Sequence, residues 1–61
     1  MENNGIMKLI SGTFQKGCGV IVEHNGNYYH KIVFEDNNGK CFVEFDDKRI
    51  YESEVKKIHD D

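Results

Sequence analysis

Three turn signals, spaced about ten residues apart, constrain this 61-residue chain more than any other feature. They are Asn25-Gly26-Asn27, Asp36-Asn37-Asn38-Gly39 and Asp46-Asp47-Lys48. Asn-Gly between alternating apolar segments is the strongest short-range hairpin signal, because both residues tolerate positive φ. Segments of six to eight residues between such turns are long enough for strands and too short for stable helices. The chain also contains no alanine and no proline, while Val, Ile, Tyr and Phe are plentiful. That composition favours strands over a helical bundle.

The strands follow from the turns. Cys18 to His24 alternates, with Cys18, Val20 and Val22 on one face. Tyr28 to Glu35 is a second strand, read with Tyr28, His30, Ile32 and Phe34 inward and Tyr29, Lys31, Val33 and Glu35 outward. Lys40 to Phe45 is a third, with Cys41, Val43 and Phe45 inward and Phe42 and Glu44 outward. Arg49 to Glu52 is a short fourth strand. Ser53-Glu54-Val55 fits a single 3₁₀ turn capped by Ser53, and Lys56 to Ile58 is a brief last strand. Residues 1–12 form an N-terminal arm whose apolar run Ile6–Ile10 suits an extra edge strand, and residues 13–61 form the main unit. The expectation is an all-β chain: a small five-stranded SH3-like barrel with a short 3₁₀ turn before its last strand. Closing such a sheet removes the exposed edges that a flat one would leave.

Charge and cysteines narrow the function. Eight basic residues against eleven acidic ones give a net charge of −3, whereas a dedicated nucleic-acid binder usually carries a basic excess. Cys18 and Cys41 show no CxxC spacing and cannot complete a four-cysteine zinc site. No signal-peptide pattern and no apolar run long enough to span a membrane is present. The expectation is a cytoplasmic protein with reduced thiols that needs no membrane, metal or cofactor. Seven lysines to one arginine, with six asparagines and six isoleucines, resemble the usage of AT-rich genomes such as those of low-GC bacteria and phages.

Residues 17–58 resemble the Tudor branch of SH3-like barrels. Gly17-Cys18-Gly19-Val20 resembles that family's opening, and Tyr28-Tyr29-His30-Lys31-Ile32 its aromatic-started second strand. Val43-Glu44-Phe45-Asp46-Asp47 resembles its third-strand motif and Glu54-Val55-Lys56-Lys57-Ile58 its closing turn. Many Tudor domains hold a methylated cation in an aromatic cage by cation–π attraction. The resemblance implies that Tyr28 or Tyr29 and Phe45 supply two walls and Asp46 or Asp47 an acidic lip. The chain departs from the pattern at Val22 and Glu23, where a cage wants an aromatic, and at Lys48, which repels a second cation. Bacterial Tudor-like modules that dock on proteins or contact nucleic acid resemble the chain equally well.

Constellations for catalysis are weak. His24, His30 and Glu23 around the first turn make an incomplete metal site. Cys18 lacks a base with a third group to orient it. Asp46, Asp47, Glu52 and Glu54 sit at turns where solvent explains them. The chain is therefore read as a non-enzyme. The first functional expectation is a regulatory module docking on a larger protein machine through Tyr29, Phe42, Tyr51, Asp46 and Asp47. On the register above, Tyr29 and Phe42 share an outer surface unless the segment Ile6–Phe14 folds back over them. The second is a nucleic-acid-binding barrel that stacks bases on those aromatics and holds phosphates with Lys31, Lys40, Lys48 and Arg49. A homodimer is a third way to occupy the same patch.

Overall fold

The computed structural model describes residues 6–58, and the chain is all-β: seven strands, one 3₁₀ turn and no α-helix among the described residues. The strands are β1 (Met7–Ser11), β2 (Gly19–His24), β3 (Asn27–Ile32), β4 (Phe34–Glu35), β5 (Cys41–Phe45), β6 (Lys48–Tyr51) and β7 (Val55–Lys57); the 3₁₀ turn is Glu52–Glu54. They form two sheets, one in the order β3-β2-β1-β7 and one in the order β4-β5-β6. Among the described residues no helix is long and apolar enough to cross a membrane.

The strand count exceeds the five expected for two reasons. First, the Ile6–Ile10 segment does not lie at an edge. β1 sits inside the larger sheet, antiparallel to β2 and parallel to β7. Its alternation explains this, since Met7 and Leu9 are buried and belong to the core. Second, the strand read as Tyr28–Glu35 is interrupted at Val33. The Val33 N–H donates to the Cys18 carbonyl (3.0 Å) and its carbonyl accepts from the Gly17 N–H (2.9 Å). Its backbone is thus tied to the loop before β2 rather than to a strand. The chain bends there and passes from one sheet to the other. The 3₁₀ turn begins one residue earlier than expected, and Ser53 does not cap it. Glu54 reaches back instead, its Oε2 accepting from the Tyr51 N–H at 3.2 Å.

The core lies between the sheets. Val20, Val22, Val33 and Val43 are almost wholly buried, and Met7, Leu9, Phe14 and Val55 complete the cluster. Fully burying side chains of this size is worth roughly 1.5–3 kcal/mol each. Cys41 packs against the cluster, while Cys18 lies half-buried in the loop ahead of β2 rather than on that strand; both thiols are free.

Two hairpins use two-residue turns with positive φ at both positions. In the first, Asn25 (53°) and Gly26 (83°) close the His24–Asn27 pair; in the second, Asp46 (57°) and Asp47 (63°) close the Phe45–Lys48 pair. This geometry matches the right-handed strand twist and prefers glycine at the second position. The second hairpin carries a side chain there at a conformational cost. Asp47→Gly is therefore expected to raise stability by about 0.5–1 kcal/mol, seen as a rise of about 2–8 °C in Tm. A lower Tm would mean that the Asp47 carboxylate makes a compensating interaction.

Candidate functional site

Turn geometry decides which aromatics share a face. Because Asn25-Gly26 is a two-residue turn, Val22 pairs with Tyr29 and Val20 with Lys31. Val20 and Val22 point into the core, so Tyr29 and Lys31 follow them, and Tyr28, His30 and Ile32 face outward. The inward and outward sets of the second strand are thus the reverse of the sequence expectation. Tyr28 is 66% exposed and Ile32 49%, while Tyr29 packs against the core.

The expected binding residues consequently divide between two places. On the inner side, Phe45 collects three neighbours. The Tyr29 ring meets it edge-on at 4.9 Å, the His24 ring lies 5.0 Å away, and the Lys31 ammonium sits 5.4 Å from its centroid. Asp46 and Asp47 follow Phe45 in the exposed turn. Together with Glu44 they face Lys31, Lys48 and Arg49 across a groove of ≈480 Å³. Three carboxylates and three cations leave this groove without a net sign. Lys31 already occupies the Phe45 ring that an aromatic cage would offer to a ligand.

On the outer face of the smaller sheet, Phe34, Phe42 and Tyr51 are direct cross-strand neighbours. The Phe34 and Phe42 centroids are 5.9 Å apart and those of Phe42 and Tyr51 5.3 Å. The Arg49 guanidinium lies 4.5 Å over the Phe42 ring. Phe42 does face away from the core, but its neighbours cover it to 4% exposure, whereas Phe34 keeps 44%. Tyr29 and Phe42 therefore do not form one surface. The segment Ile6–Phe14 contributes Met7, Leu9 and Phe14 to the core that Tyr29 borders.

Asp36 anchors the end of this row. Its Oδ1 accepts from the Asn38 and Lys40 N–H groups (2.8 and 2.9 Å), and its Oδ2 accepts from the Tyr51 hydroxyl (3.1 Å). The Lys40 N–H above all, helped by the Asn38 N–H, the Tyr51 hydroxyl and the nearby Arg49 charge, holds its carboxyl below the ordinary aspartate range against the opposing effect of burial. The charged form thereby fixes both the turn and the Tyr51 ring. Sequence reasoning missed Phe34 and Asp36. The signal was available for Phe34: Asp36–Gly39 separates two strands, and pairing them back from that turn sets Phe34 opposite Phe42.

Of the four cations expected to hold phosphates, Lys31, Lys48 and Arg49 line the groove beside Phe45, but together with three carboxylates, and Lys40 lies apart in the Asp36 turn. His24 and His30 also separate. His24 turns inward to Phe45, while His30 lies outside over Gly19, where an added Cβ would come 3.0 Å from its Nε2. Among the described residues no three His, Cys, Asp or Glu side chains gather as a metal site. In comparisons with known proteins, no family model, no curated protein and no solved structure matches this chain.

Proposed function

We propose that this chain is a non-catalytic protein-binding module: a small SH3-like barrel of the Tudor type, working in the cytoplasm as a regulator docked on a larger protein machine. Support for the barrel reading is the order of its parts. Successive hairpins lead through a strand bent at Val33, and a 3₁₀ turn precedes the last strand. The observation that carries the docking reading is the Phe34–Phe42–Tyr51 row, an ordered aromatic cluster outside the main core. Aromatic side chains held rigid in this way lose little entropy on binding and are over-represented at binding hot spots. At the end of the row, Asp36 supplies an acidic group that would steer the face toward a partner with a basic rim. Nucleic-acid stacking is the weaker reading, because a base reaching Phe42 must first displace Arg49.

The test is binding to extract proteins at low and high salt, with and without nuclease, for the wild type and Phe34→Ala. Phe34 is exposed enough that its loss leaves the fold intact. A hot-spot role predicts a loss of about tenfold or more in affinity, with a weak salt dependence. Retention that vanishes with nuclease, or falls steeply with salt, would instead assign the protein to nucleic acid. An unchanged affinity in Phe34→Ala would remove this face from the interface.

A further inference from the structure

The outer edge of β3 is the one long strand edge in the described chain that lacks the usual protection. Natural edges are blunted by shortness, by lysines, by proline or by bulges. β4 has two residues, and β7 has three, two of which are Lys56 and Lys57. β6 opens with Lys48-Arg49, and its Tyr51 N–H is held by Glu54. β3 has six residues, pairs with β2 on one side only, and contains no proline or bulge. Its single charge, Lys31, is directed inward to Phe45.

The β2–β3 hairpin fixes which backbone groups are spare. In a two-residue hairpin the closing pair, here His24 and Asn27, exchanges both hydrogen bonds, and bonded pairs alternate from there. Val22–Tyr29 and Val20–Lys31 are then bonded pairs. The N–H and C=O of Tyr28, His30 and Ile32 point away from β2. No hydrogen bond of the described residues outside the β2–β3 ladder reaches those groups.

From this geometry we infer that the β3 edge is a self-association site, where two copies of the chain pair antiparallel across a two-fold axis at His30. The spare groups are centred on that residue and so match their own copy. His30 falls opposite His30, and Tyr28 opposite Ile32 on both sides of the axis. All three N–H and all three C=O groups then find partners. The outer face gains two aromatic–β-branched pairs of the kind that stabilise sheets. On the inner face Tyr29 falls opposite Lys31, so the two Lys31 charges do not oppose each other. Tyr28 and Ile32, two of the most exposed large apolar side chains, are covered. A chain this small gains most from such association, because its own core is marginal. The site is separate from the Phe34–Phe42–Tyr51 face, and it stands or falls without that docking reading.

The experiment is sedimentation velocity of the full chain over a dilution series, with amide exchange at His30 followed by NMR. The wild type should sediment at twice the 7.1 kDa chain mass, with the His30 amide protected in the dimer and exchanging freely on dilution. His30→Pro removes an outward N–H and leaves the β2 ladder in place. Ile32→Lys places a charge on the edge and serves should the proline variant not fold. Either folded variant should run at half the wild-type mass. A wild type that stays at 7.1 kDa overturns the inference, whether or not a foreign strand then protects His30. A dimer persisting in a folded variant, or open-ended assembly, overturns it equally.

Discussion

Gly12→Ala is expected to destabilise the chain by about 3 kcal/mol or more, combining backbone strain with a forced shift of neighbouring main chain. Gly12 follows the register shift between Leu9 and Ser11, where the chain leaves β1 and turns across the start of β2. Its φ is +99°, and a Cβ built there would lie 2.6 Å from the Gly19 carbonyl oxygen and 3.0 Å from the Val20 Cα. Both obstacles are backbone, so no side-chain rotation relieves them. Val20 is part of the core, and displacing it disturbs the β1–β2 pairing that carries Met7 and Leu9. A 61-residue domain has only about 3–9 kcal/mol of stability in total, so the variant should lose a third or more of it and melt at a much lower urea concentration by circular dichroism. Gly17→Ala is the control. Gly17 also has positive φ (+85°), but a Cβ there meets nothing within 4 Å. It should lose only the left-handed penalty of about 1–2 kcal/mol. Equal losses in urea melts of the two variants would mean that the close approach at Gly12 is not made.

Turn chemistry is local, and it marked the three tight reversals: Asn25-Gly26, the Asp36–Gly39 segment and Asp46-Asp47 all lie where strands reverse, while the longer β1–β2 connection carried no such signal. Which face each strand buries is not local. Residues 28–34 carry apolar or aromatic side chains at both odd and even positions, so alternation alone is ambiguous there. Only the exact turn length separates the two solutions. Taking Asn25–Asn27 as the loop, without counting the His24–Asn27 closing pair, leaves Tyr28, His30 and Ile32 on the wrong side. Counting it sets Val22 opposite Tyr29 and would have placed Tyr29 inward from the sequence.

Other features depend on partners far along the chain. Ile6–Ile10 reads as an apolar run of uncertain place because its parallel neighbour, β7, lies more than forty residues later. The Val33 bend depends on hydrogen bonds to Gly17 and Cys18, which no spacing rule connects. Asp36 illustrates the same limit within the site. As a turn residue it was legible, but its hold on the Tyr51 hydroxyl spans fifteen positions and appears only once β4, β5 and β6 are side by side. The pairing of Phe42 with Tyr51 needed only the β5–β6 turn, and the sequence did place both among the binding residues.

Truncating Phe42 should therefore behave as a folding mutation, not as a clean loss of binding. The ring is 4% exposed although it lies outside the main core, because Phe34, Tyr51 and Arg49 enclose it. Phe→Ala at buried sites costs about 3–5 kcal/mol. Here the open side of the sheet lets the neighbours collapse, so about 3 kcal/mol is expected. That is a third or more of the about 3–9 kcal/mol that a domain of this length has to lose. Three effects add up: lost burial, lost contact between aromatic rings, and an Arg49 guanidinium left without its π face. Phe42→Leu keeps most of the volume and should cost about 1–2 kcal/mol. Phe34→Ala, at a position 44% exposed, should cost under 1 kcal/mol. Chemical denaturation of the three variants gives the order directly. If Phe42→Ala melts with the wild type, the cluster is a loose surface feature and the rigid docking face proposed for it is lost. If Phe42→Ala loses about 3 kcal/mol while Phe34→Ala loses under 1, Phe42 is the buried support of the face and Phe34 is free to be tested as its contact. Affinity measurements should then be made on Phe34, where loss of binding and loss of structure are separable.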